Sequence, residues 1–360
     1  LCGTTVTGIA TGILAKVLGA KGLPTETRVA DTVQGISAPP PELLLALGSD
    51  TLRVGMDRIR GGLKTGDDGS LETVDSFGVL WRRAQGQLYY SQASAPLFEG
   101  RLSDALEAYR FPEPELGPMR AAVERGRLDS DRLGLFPILD RDCAGLLEMS
   151  ARLRGTERLY LDMYDDPEGV EELAERLLEY KLAYWQAQVS FWGAATAGIA
   201  EADDYGSEIS LLISPHMVRR TYIGRYARLF SAIRSRLPDA RIVFHCCGAI
   251  REIIGDLIEA GVDALNPVQY AAAGMEPAAL KRDFGDRLSF WGGAVDTKRV
   301  LPLGSPAEVR AELLRNAAAL GPGGGWVISA VHNIQEDVPL ENALAFLDAV
   351  AELKAKGEGR

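Results

Sequence analysis

The sequence predicts an α/β protein whose core is a (β/α)8 TIM barrel, with a small insertion in its N-terminal half. Short apolar segments that suit strands alternate with amphipathic helical segments at intervals of about 20 to 45 residues. Strands that are apolar throughout indicate a parallel sheet covered by helices. The chain has 360 residues and no dinucleotide-binding glycine fingerprint, which favours the barrel over an open doubly wound sheet.

The composition is that of an ordinary globular protein. Hydrophobic residues make up 46% of the chain and charged residues 25%. The net charge of −11 disfavours binding to nucleic acid or to an anionic membrane, and no apolar run reaches the roughly 20 residues of a membrane-spanning helix. Four cysteines are too few for a disulfide framework, so a cytoplasmic location is expected.

Fewer helices and strands can be predicted in the N-terminal half. Three prolines, 39–41, precede a short helix that carries Leu43, Leu44 and Leu47. Residues 65–115 contain a glycine-rich turn at 66–69 and aromatic strands near 79–81 and 88–90. This segment is interpreted as an insertion or hairpin packed on the barrel, and the whole chain, 1–360, as a single domain.

The C-terminal half shows the alternation clearly. Asp166 followed by Pro167 is typical of a helix start, and Gly261 is typical of a helix end. The predicted strands are 197–200, 241–244, 262–265, 288–291 and 326–329. Further helices are predicted to begin at 214–215, 250, 305–306 and 339. Polar residues follow each of these strands, and in such barrels the carboxyl ends of the strands form the active site.

Two histidines and one cysteine that could bind a metal ion follow two of these strands. Alternate residues of a strand share a face, so His245 and Cys247 are expected to point the same way. His332 follows the last predicted strand, and an imidazole and a thiolate at one barrel mouth suit tetrahedral Zn²⁺. The alternatives are a buried histidine beside core cysteines, and for His332 a loop residue that caps the last helix. His216 is interpreted as a surface residue.

The remaining candidates also follow strands. Glu201 is predicted as a fourth metal ligand, although an exposed acidic loop is the alternative for residues 201–204. Asp204, Asp296 and Gln335 are the predicted catalytic residues. The predicted substrate-binding residues are Asn266, Gln269, Trp291 and Asn333.

Four motifs of the C-terminal half resemble those of the uroporphyrinogen decarboxylase superfamily. They are His245-Cys246-Cys247-Gly248, Asp263-Ala264-Leu265-Asn266-Pro267-Val268-Gln269, Phe290-Trp291-Gly292-Gly293 and Val331-His332-Asn333-Ile334-Gln335. The resemblance extends from about residue 155 to residue 350 and is faint before residue 150. It implies a (β/α)8 barrel, in agreement with the pattern of strands and helices.

The superfamily has two main groups, a cofactor-free decarboxylase of tetrapyrrole acetates and corrinoid-linked, zinc-dependent methyltransferases. The methyltransferases bind zinc through a His-x-Cys motif and a later cysteine. His245 and Cys247 match that motif, and His332 stands where the later cysteine is expected. The decarboxylases carry an Arg-Gln-Ala-Gly-Arg type stretch near the N-terminus that grips substrate carboxylates, whereas residues 3–8 here contain no arginine.

The resemblance therefore implies a zinc-dependent methyltransferase that moves a methyl group between a corrinoid (cobalamin) protein and a small thiol, O-methyl or N-methyl substrate. The corrinoid is expected on a separate partner protein, and a homodimer is the expected assembly. Uroporphyrinogen decarboxylase, or a related cofactor-free decarboxylase, is the alternative. A non-enzymatic carrier of a tetrapyrrole or corrinoid is a third interpretation.

Overall fold

A curled, seven-stranded parallel sheet lies at the centre of the fold. The computed structural model describes residues 7–57, 62–87 and 89–357. The strands of these residues, in chain order, are β1 (Arg28–Asp31), β2 (Ile36–Ala38), β3 (Thr51–Val54), β4 (Lys64–Thr65), β5 (Leu71–Val74), β6 (Leu80–Arg83), β7 (Ser91–Ser94), β8 (Phe136–Asp140), β9 (Gly198–Ala202), β10 (Arg241–His245), β11 (Ala264–Asn266), β12 (Ser289–Trp291) and β13 (Trp326–Val327). The central sheet has the order β3-β8-β9-β10-β11-β12-β13.

Helices connect the parallel strands and cover the outside of the sheet. They are α1 (Thr11–Ala20), α2 (Pro41–Ala46), α3 (Leu102–Ala108), α4 (Leu116–Leu133), α5 (Leu146–Arg154), α6 (Thr156–Asp165), α7 (Pro167–Trp192), α8 (Pro215–Val218), α9 (Gly224–Arg236), α10 (Ile254–Ala260), α11 (Pro277–Phe284), α12 (Val300–Leu303), α13 (Pro306–Leu320) and α14 (Leu340–Ala355). Within the described ranges, none of them combines the length and the apolar character that crossing a bilayer requires.

The predicted barrel type is confirmed, with a difference in the number of strands. Seven parallel strands are present in the described residues, where eight were predicted. A single parallel bridge joins Ile9 to Ile334, after β13. Ile9 and Leu52 of β3 line the same cavity of about 480 Å³. The N-terminal segment therefore stands between the two edges of the sheet without forming a full strand.

Side chains along the central strands point alternately into the barrel and toward the helices. Ala200 of β9 lies opposite Val243 of β10 in the register, and both belong to an inner apolar cluster. Ile199 and Phe244 point the other way and pack in the large core beneath the helices. His245 lies two residues after Val243, so its side chain points to the same face of the strand. The fold therefore directs its ring into the barrel mouth.

The segment predicted as an insertion is an antiparallel sheet in the order β4-β5-β6-β7, referred to below as the meander. The turn between β5 and β6, together with Trp81, lines the same cavity as His245. Tyr89, just before β7, donates a hydrogen bond of 3.0 Å to the side-chain oxygen of Gln335. Residue 88, part of a predicted strand, lies outside the described residues. The meander therefore covers one side of the barrel mouth.

The predicted start of α7 is confirmed, and its cap ties α7 to the start of α3. Pro167 is the first helical residue, and the Asp166 carboxylate accepts a hydrogen bond from the Gly169 N–H at 3.3 Å. The same carboxylate accepts from the backbone and the hydroxyl of Ser103 and from Arg101. Burial raises the pKa of Asp166, but these hydrogen bonds outweigh it and lower the pKa to about 2.

We expect Asp166→Ala to lower the free energy of unfolding at pH 7 by about 1–2 kcal/mol, because α7 loses its cap. The folded pKa lies below the ordinary value of 3.8, so the stabilisation is present above about pH 4 and is lost as the pH falls toward 2. Urea unfolding at pH 7 and pH 3 measures both effects. The control is Glu168→Ala, which removes an exposed carboxylate in the same turn. If the wild type exceeds Asp166→Ala in free energy of unfolding by the same amount at both pH values, the lowered pKa of Asp166 is contradicted.

Candidate metal centre

Two imidazoles and one thiol meet at the mouth of the barrel. His245 is the last residue of β10, Cys247 follows it, and His332 lies in the loop after β13. One ligand atom from each of the three lies within 4.8 Å of the others. The Nε2 atom of His245 is 3.2 Å from the Sγ atom of Cys247, and the two imidazole rings meet edge to face at 5.3 Å. The structure thus brings together three of the four predicted ligands.

Asn266 determines which nitrogen of His245 faces this cluster. Its side-chain nitrogen donates a hydrogen bond to the carbonyl oxygen of Trp291 at 3.0 Å. The side-chain oxygen of Asn266 therefore faces the Nδ1 atom of His245, at 2.6 Å. Since an amide oxygen only accepts, Nδ1 carries the proton and the lone pair of Nε2 points at the cluster. Asn266 was predicted to bind substrate. It instead lies behind the cluster and orients the ring of His245.

Two glycines allow the loop that carries Cys247 to adopt its path. Gly248 has a φ of 86°, a conformation that side chains rarely allow. A Cβ atom on Gly248 would come within 2.4 Å of the Gly206 backbone, and one on Gly206 would come within 2.6 Å of the Cys247 carbonyl oxygen. The loops after β9 and β10 therefore cross at backbone contact. Gln269 holds the same loop by accepting a hydrogen bond of 2.9 Å from the Gly248 N–H.

Desolvation disfavours the charged forms of His332 and Cys247. Burial, with the neighbouring His245 ring, lowers the pKa of His332 to about 4. Burial also raises the pKa of the Cys247 thiol well above its usual value, and the nearby Asp204 carboxylate acts in the same direction. A neutral imidazole presents a lone pair, which is the form that binds a metal ion.

The cluster opens onto a cavity of about 580 Å³, a volume typical of small-molecule sites. His245 and His332 form part of its wall. The opposite walls come from the loop before α5, from α5 itself, from Tyr180 of α7 and from the meander. The cavity is therefore enclosed by the barrel on one side and by the inserted sheet on the other.

Two acidic residues directly after β9 position the carboxylates of the cavity. Asp203 accepts hydrogen bonds from the N–H groups of Leu147 at 2.8 Å and Glu148 at 2.9 Å, in the first turn of α5. Asp204 accepts a hydrogen bond from the Cys247 N–H at 3.1 Å. Asp204 and Glu148 both line the cavity.

These two carboxylates differ in their tendency to hold a proton. Burial raises the pKa of Asp204, and the negative charge of Glu148 raises it further. Burial also acts to raise the pKa of Glu148, but the guanidinium groups of Arg152 and Arg141 outweigh it and lower the pKa. Glu148 is therefore the more acidic of the two and carries its charge next to Arg152, 2.5 Å away.

Glu201 does not join the cluster, which corrects its prediction as the fourth ligand. The predicted strand ends at residue 200, whereas β9 continues to Ala202, so Glu201 lies opposite Phe244 in the register and points toward the helices. Its oxygens accept hydrogen bonds from the ammonium group of Lys181 at 2.9 and 3.0 Å and from the indole of Trp185 at 2.6 Å. Glu201 therefore binds β9 to α7.

The other predicted catalytic residues lie outside the described wall of the cavity. Asp296 accepts hydrogen bonds from the N–H groups of Lys298 at 2.6 Å and Arg299 at 2.9 Å, which shape the loop after β12. Gln335 accepts its hydrogen bond from Tyr89 of the meander. Both contacts organise loops. The catalytic roles of Asp296 and Gln335 stay predictions.

Two of the predicted substrate-binding residues also make contacts within the protein. Asn333 accepts a hydrogen bond from the Gly8 N–H at 2.7 Å and donates one to the side chain of Gln34, at 3.0 Å. Trp291 belongs to the inner apolar cluster of the barrel. Its indole N–H is buried and finds no partner among the described residues. Neither residue is in the described wall of the cavity.

Sequence analysis missed most of the charged residues of the cavity, among them Arg141 and Glu148. These two follow β8, whose apolar run, residues 136–139, ends in the polar triplet Asp140-Arg141-Asp142. The same signal, an apolar strand followed by polar residues, identified the other strands. Its application to residues 136–142 would have placed Arg141 at the mouth.

Comparison with known proteins agrees with this architecture. The family model described as uroporphyrinogen decarboxylase (URO-D) matches residues 146–353, more than half of the chain and the part that holds all three clustered ligands. The chain belongs to this family. The predicted resemblance is therefore confirmed at the level of the family.

Relatives within the family are distant. The uroporphyrinogen decarboxylase of Aeromonas salmonicida (strain A449) is 24% identical over 285 residues, which cover 76% of this chain and 75% of that protein. The uroporphyrinogen decarboxylase of Shewanella amazonensis (strain ATCC BAA-1098 / SB2B) is 26% identical over 283 residues, 75% of this chain and 74% of that protein.

Among solved structures, a methyltransferase from Methanosarcina mazei has a similar fold. The TM-score is 0.62, the sequence identity is 16%, and the match covers 98% of this chain and 94% of that chain. At this identity the likeness shows a shared fold.

We expect Lys181→Met to lower the free energy of unfolding by about 3–5 kcal/mol, because it leaves the buried charge of Glu201 without a partner. Lys298→Met, which removes an exposed ion pair with Glu208, is the control and is expected to change stability little. Urea unfolding of both variants measures the difference. Equal stability of the two variants would contradict the structural role of Glu201.

We expect Asn266→Leu to lower the affinity of the cluster for Zn²⁺ by roughly 10–100-fold, because Nδ1 of His245 loses the acceptor that fixes its tautomer. The control is Asn342→Leu, another buried asparagine that donates to backbone carbonyl groups, at residues 301 and 304. Competition with a chelating dye measures zinc affinity, and thermal unfolding measures the structural cost. Unchanged affinity in Asn266→Leu would contradict the orienting role.

Proposed function

We propose that this protein is a zinc-dependent methyltransferase that moves a methyl group between a corrinoid-carrying partner protein and a small substrate, with a thiol as the favoured acceptor. The observation that carries the proposal is the convergence of His245, Cys247 and His332, whose ligand atoms lie within 4.8 Å of one another. The two histidines of this cluster lie in the wall of the cavity that a small substrate would enter.

The donor set fits zinc. Tetrahedral zinc with bonds of about 2.0 Å to nitrogen and about 2.3 Å to sulfur separates its ligands by roughly 3.3–3.8 Å. The 3.2 Å between His245 Nε2 and Cys247 Sγ is close to this value. Three protein ligands leave one position for a substrate, which is typical of catalytic zinc sites. His332 in place of a cysteine keeps the coordination number and makes the site less rich in thiolate.

Zinc bound by these residues would lower the pKa of a substrate thiol, so that a nucleophile exists at neutral pH. The protein's own residues supply the other requirements. Asn266 orients His245, and the crossing of Gly206 and Gly248 positions Cys247. Asp204 and Glu148 both line the cavity, and Asp204, whose pKa is raised by burial, is the better base of the two to accept the thiol proton. A methylated corrinoid on the partner protein would supply the methyl group to this sulfur and would keep the electron pair of the broken carbon–cobalt bond.

A decarboxylase of the tetrapyrrole pathway is the second candidate, because the curated relatives carry that name. Its substrate carries many carboxylates and needs positive charge in the site. The cavity here has more carboxylates than guanidinium groups in its wall. Repulsion between like charges in a partly desolvated site disfavours such a substrate, which supports methyl transfer.

Metal analysis and a transfer assay test the proposal. We expect the wild type to retain about one zinc per chain and to transfer methyl groups from methylcobalamin to small thiols. His245→Ala and Cys247→Ser are expected to lose the zinc and more than about 100-fold of the transfer rate, beyond the effect typical of outer-shell residues. His216→Ala, an exposed histidine of α8, is the control and is expected to keep both.

Transfer activity in metal-free protein would overturn the zinc chemistry. Turnover of uroporphyrinogen in the presence of a chelator would establish the decarboxylase instead.

A further inference from the structure

The three clustered ligands differ in how they are held. The ring of His245 is oriented by the side chain of Asn266, and the backbone N–H of Cys247 is bound by Asp204. The ring of His332 meets the ring of His245 edge to face, but it makes no hydrogen bond in the part of the chain that the structure describes. The place of the His332 ring therefore depends on the path of the backbone on either side of it.

The backbone is anchored on both sides of His332. Just before it, the N–H of Val331 donates a hydrogen bond of 3.0 Å to the carbonyl oxygen of Val295, in the loop after β12. Just after it, the N–H of Ile334 donates one of 3.0 Å to the carbonyl oxygen of Gly8. The first anchor lies next to the neighbouring strand of the sheet, whereas the second comes from the opposite end of the chain.

Asn333 completes the second anchor with its side chain. Its Oδ1 atom accepts a hydrogen bond of 2.7 Å from the Gly8 N–H, and its Nδ2 atom donates one of 3.0 Å to the Oε1 atom of Gln34. Gln34 lies between β1 and β2, and its Nε2 atom donates to the carboxylate of Asp31 at 3.2 Å. Because Gln34 turns its amide nitrogen to a carboxylate, its oxygen faces Asn333, and Asn333 presents its own oxygen to Gly8.

The N-terminal segment is held from its other side by the β1–β2 hairpin. The N–H of Ser37 donates a hydrogen bond of 3.0 Å to the carbonyl oxygen of Ile9. At the start of α1, the N–H of Gly12 donates one of 2.6 Å to the carboxylate of Glu336, farther along the loop that carries the histidine. Residues 8–12 therefore form a clamp between the hairpin and that loop.

We propose that Asn333 is a positioning residue of the metal centre, which acts through the clamp to hold His332 where it can bind the ion. This inference rests on the zinc site of the proposed function. His245 and Cys247 come from β10 and the loop that follows it, which the clamp does not contact through these hydrogen bonds. Asn333 thus determines whether the ion has three protein ligands or two.

A double-mutant cycle on metal affinity tests this role. Competition with a chelating dye gives the cobalt(II) affinity of the wild type, His332→Ala, Asn333→Ala and the double variant. We expect Asn333→Ala to weaken binding by roughly 10–100-fold, as residues that orient a metal ligand do. The double variant is expected to bind as tightly as His332→Ala, because a residue that acts through His332 has no further effect once that ring is gone.

The spectrum of the cobalt(II) protein gives a second readout. In Asn333→Ala, the absorption band from the Cys247 thiolate to cobalt is expected to persist, while the ligand-field bands shift toward those of His332→Ala. The matched control is Asn342→Ala, which changes another buried asparagine that donates to backbone carbonyl groups. It is expected to lower the free energy of unfolding in urea and to keep the wild-type affinity for cobalt(II).

Glu336 offers a milder test if Asn333→Ala does not fold, since its side chain is only partly buried. Glu336→Ala removes the acceptor of the Gly12 N–H, whereas Glu336→Gln keeps an oxygen there. We expect Glu336→Ala to weaken cobalt(II) binding by about 3–10-fold, because it is farther from His332 than Asn333 is. Glu336→Gln is expected to keep the wild-type affinity, and Glu336→Ala to have no further effect in the His332→Ala protein.

The outcomes separate this inference from the proposed function. Protein that binds no cobalt(II), or binds it equally well in wild type, His245→Ala and Cys247→Ser, overturns the proposed function. An affinity that is unchanged in His332→Ala removes the third ligand, and this inference with it. An affinity that falls in His332→Ala, but is unchanged in Asn333→Ala or falls further in the double variant, overturns the positioning role alone.

Discussion

The candidate metal centre depends on the hydrogen bond between Asn266 and His245. The two residues are opposite each other on neighbouring parallel strands, and the same register places the Trp291 carbonyl where it fixes the amide of Asn266. Without that arrangement the imidazole could present either nitrogen to Cys247. The sheet register therefore acts as the outer support of the cluster, which links barrel pairing to the chemistry at its mouth.

The alternation of side chains along strands explains how much of this site the sequence could predict. It placed His245 and Cys247 on one face correctly, because β10 ends at His245, one residue past its apolar run. The same rule misled at Glu201, because β9 continues past its apolar residues. A glutamate within a strand looks like a loop residue, and its burial is possible only because Lys181, distant in sequence, neutralises it.

Other features of the site have no local signal. Asn266 was recognised as a polar residue at a strand end, but its role depends on a neighbour across the sheet rather than along the chain. Glu148 sits in the first turn of a helix, where acidic residues are common for local reasons. Only the docking of Asp203 against the start of α5 brings it to the cavity. The meander was expected as an insertion or hairpin, and its two outer strands, β4 and β7, give little signal because they carry few apolar residues.

The meander also separates the two tasks of the mouth. Metal ligands and their supports come from β10, β11 and the loop after β13, whereas part of the facing wall comes from a sheet inserted between β3 and β8. Mutations in that inserted sheet can change which molecule is admitted while the ligand geometry stays intact. Substrate preference among descendants of this chain can therefore diverge through changes on this one surface, while the residues that hold the ligands stay the same.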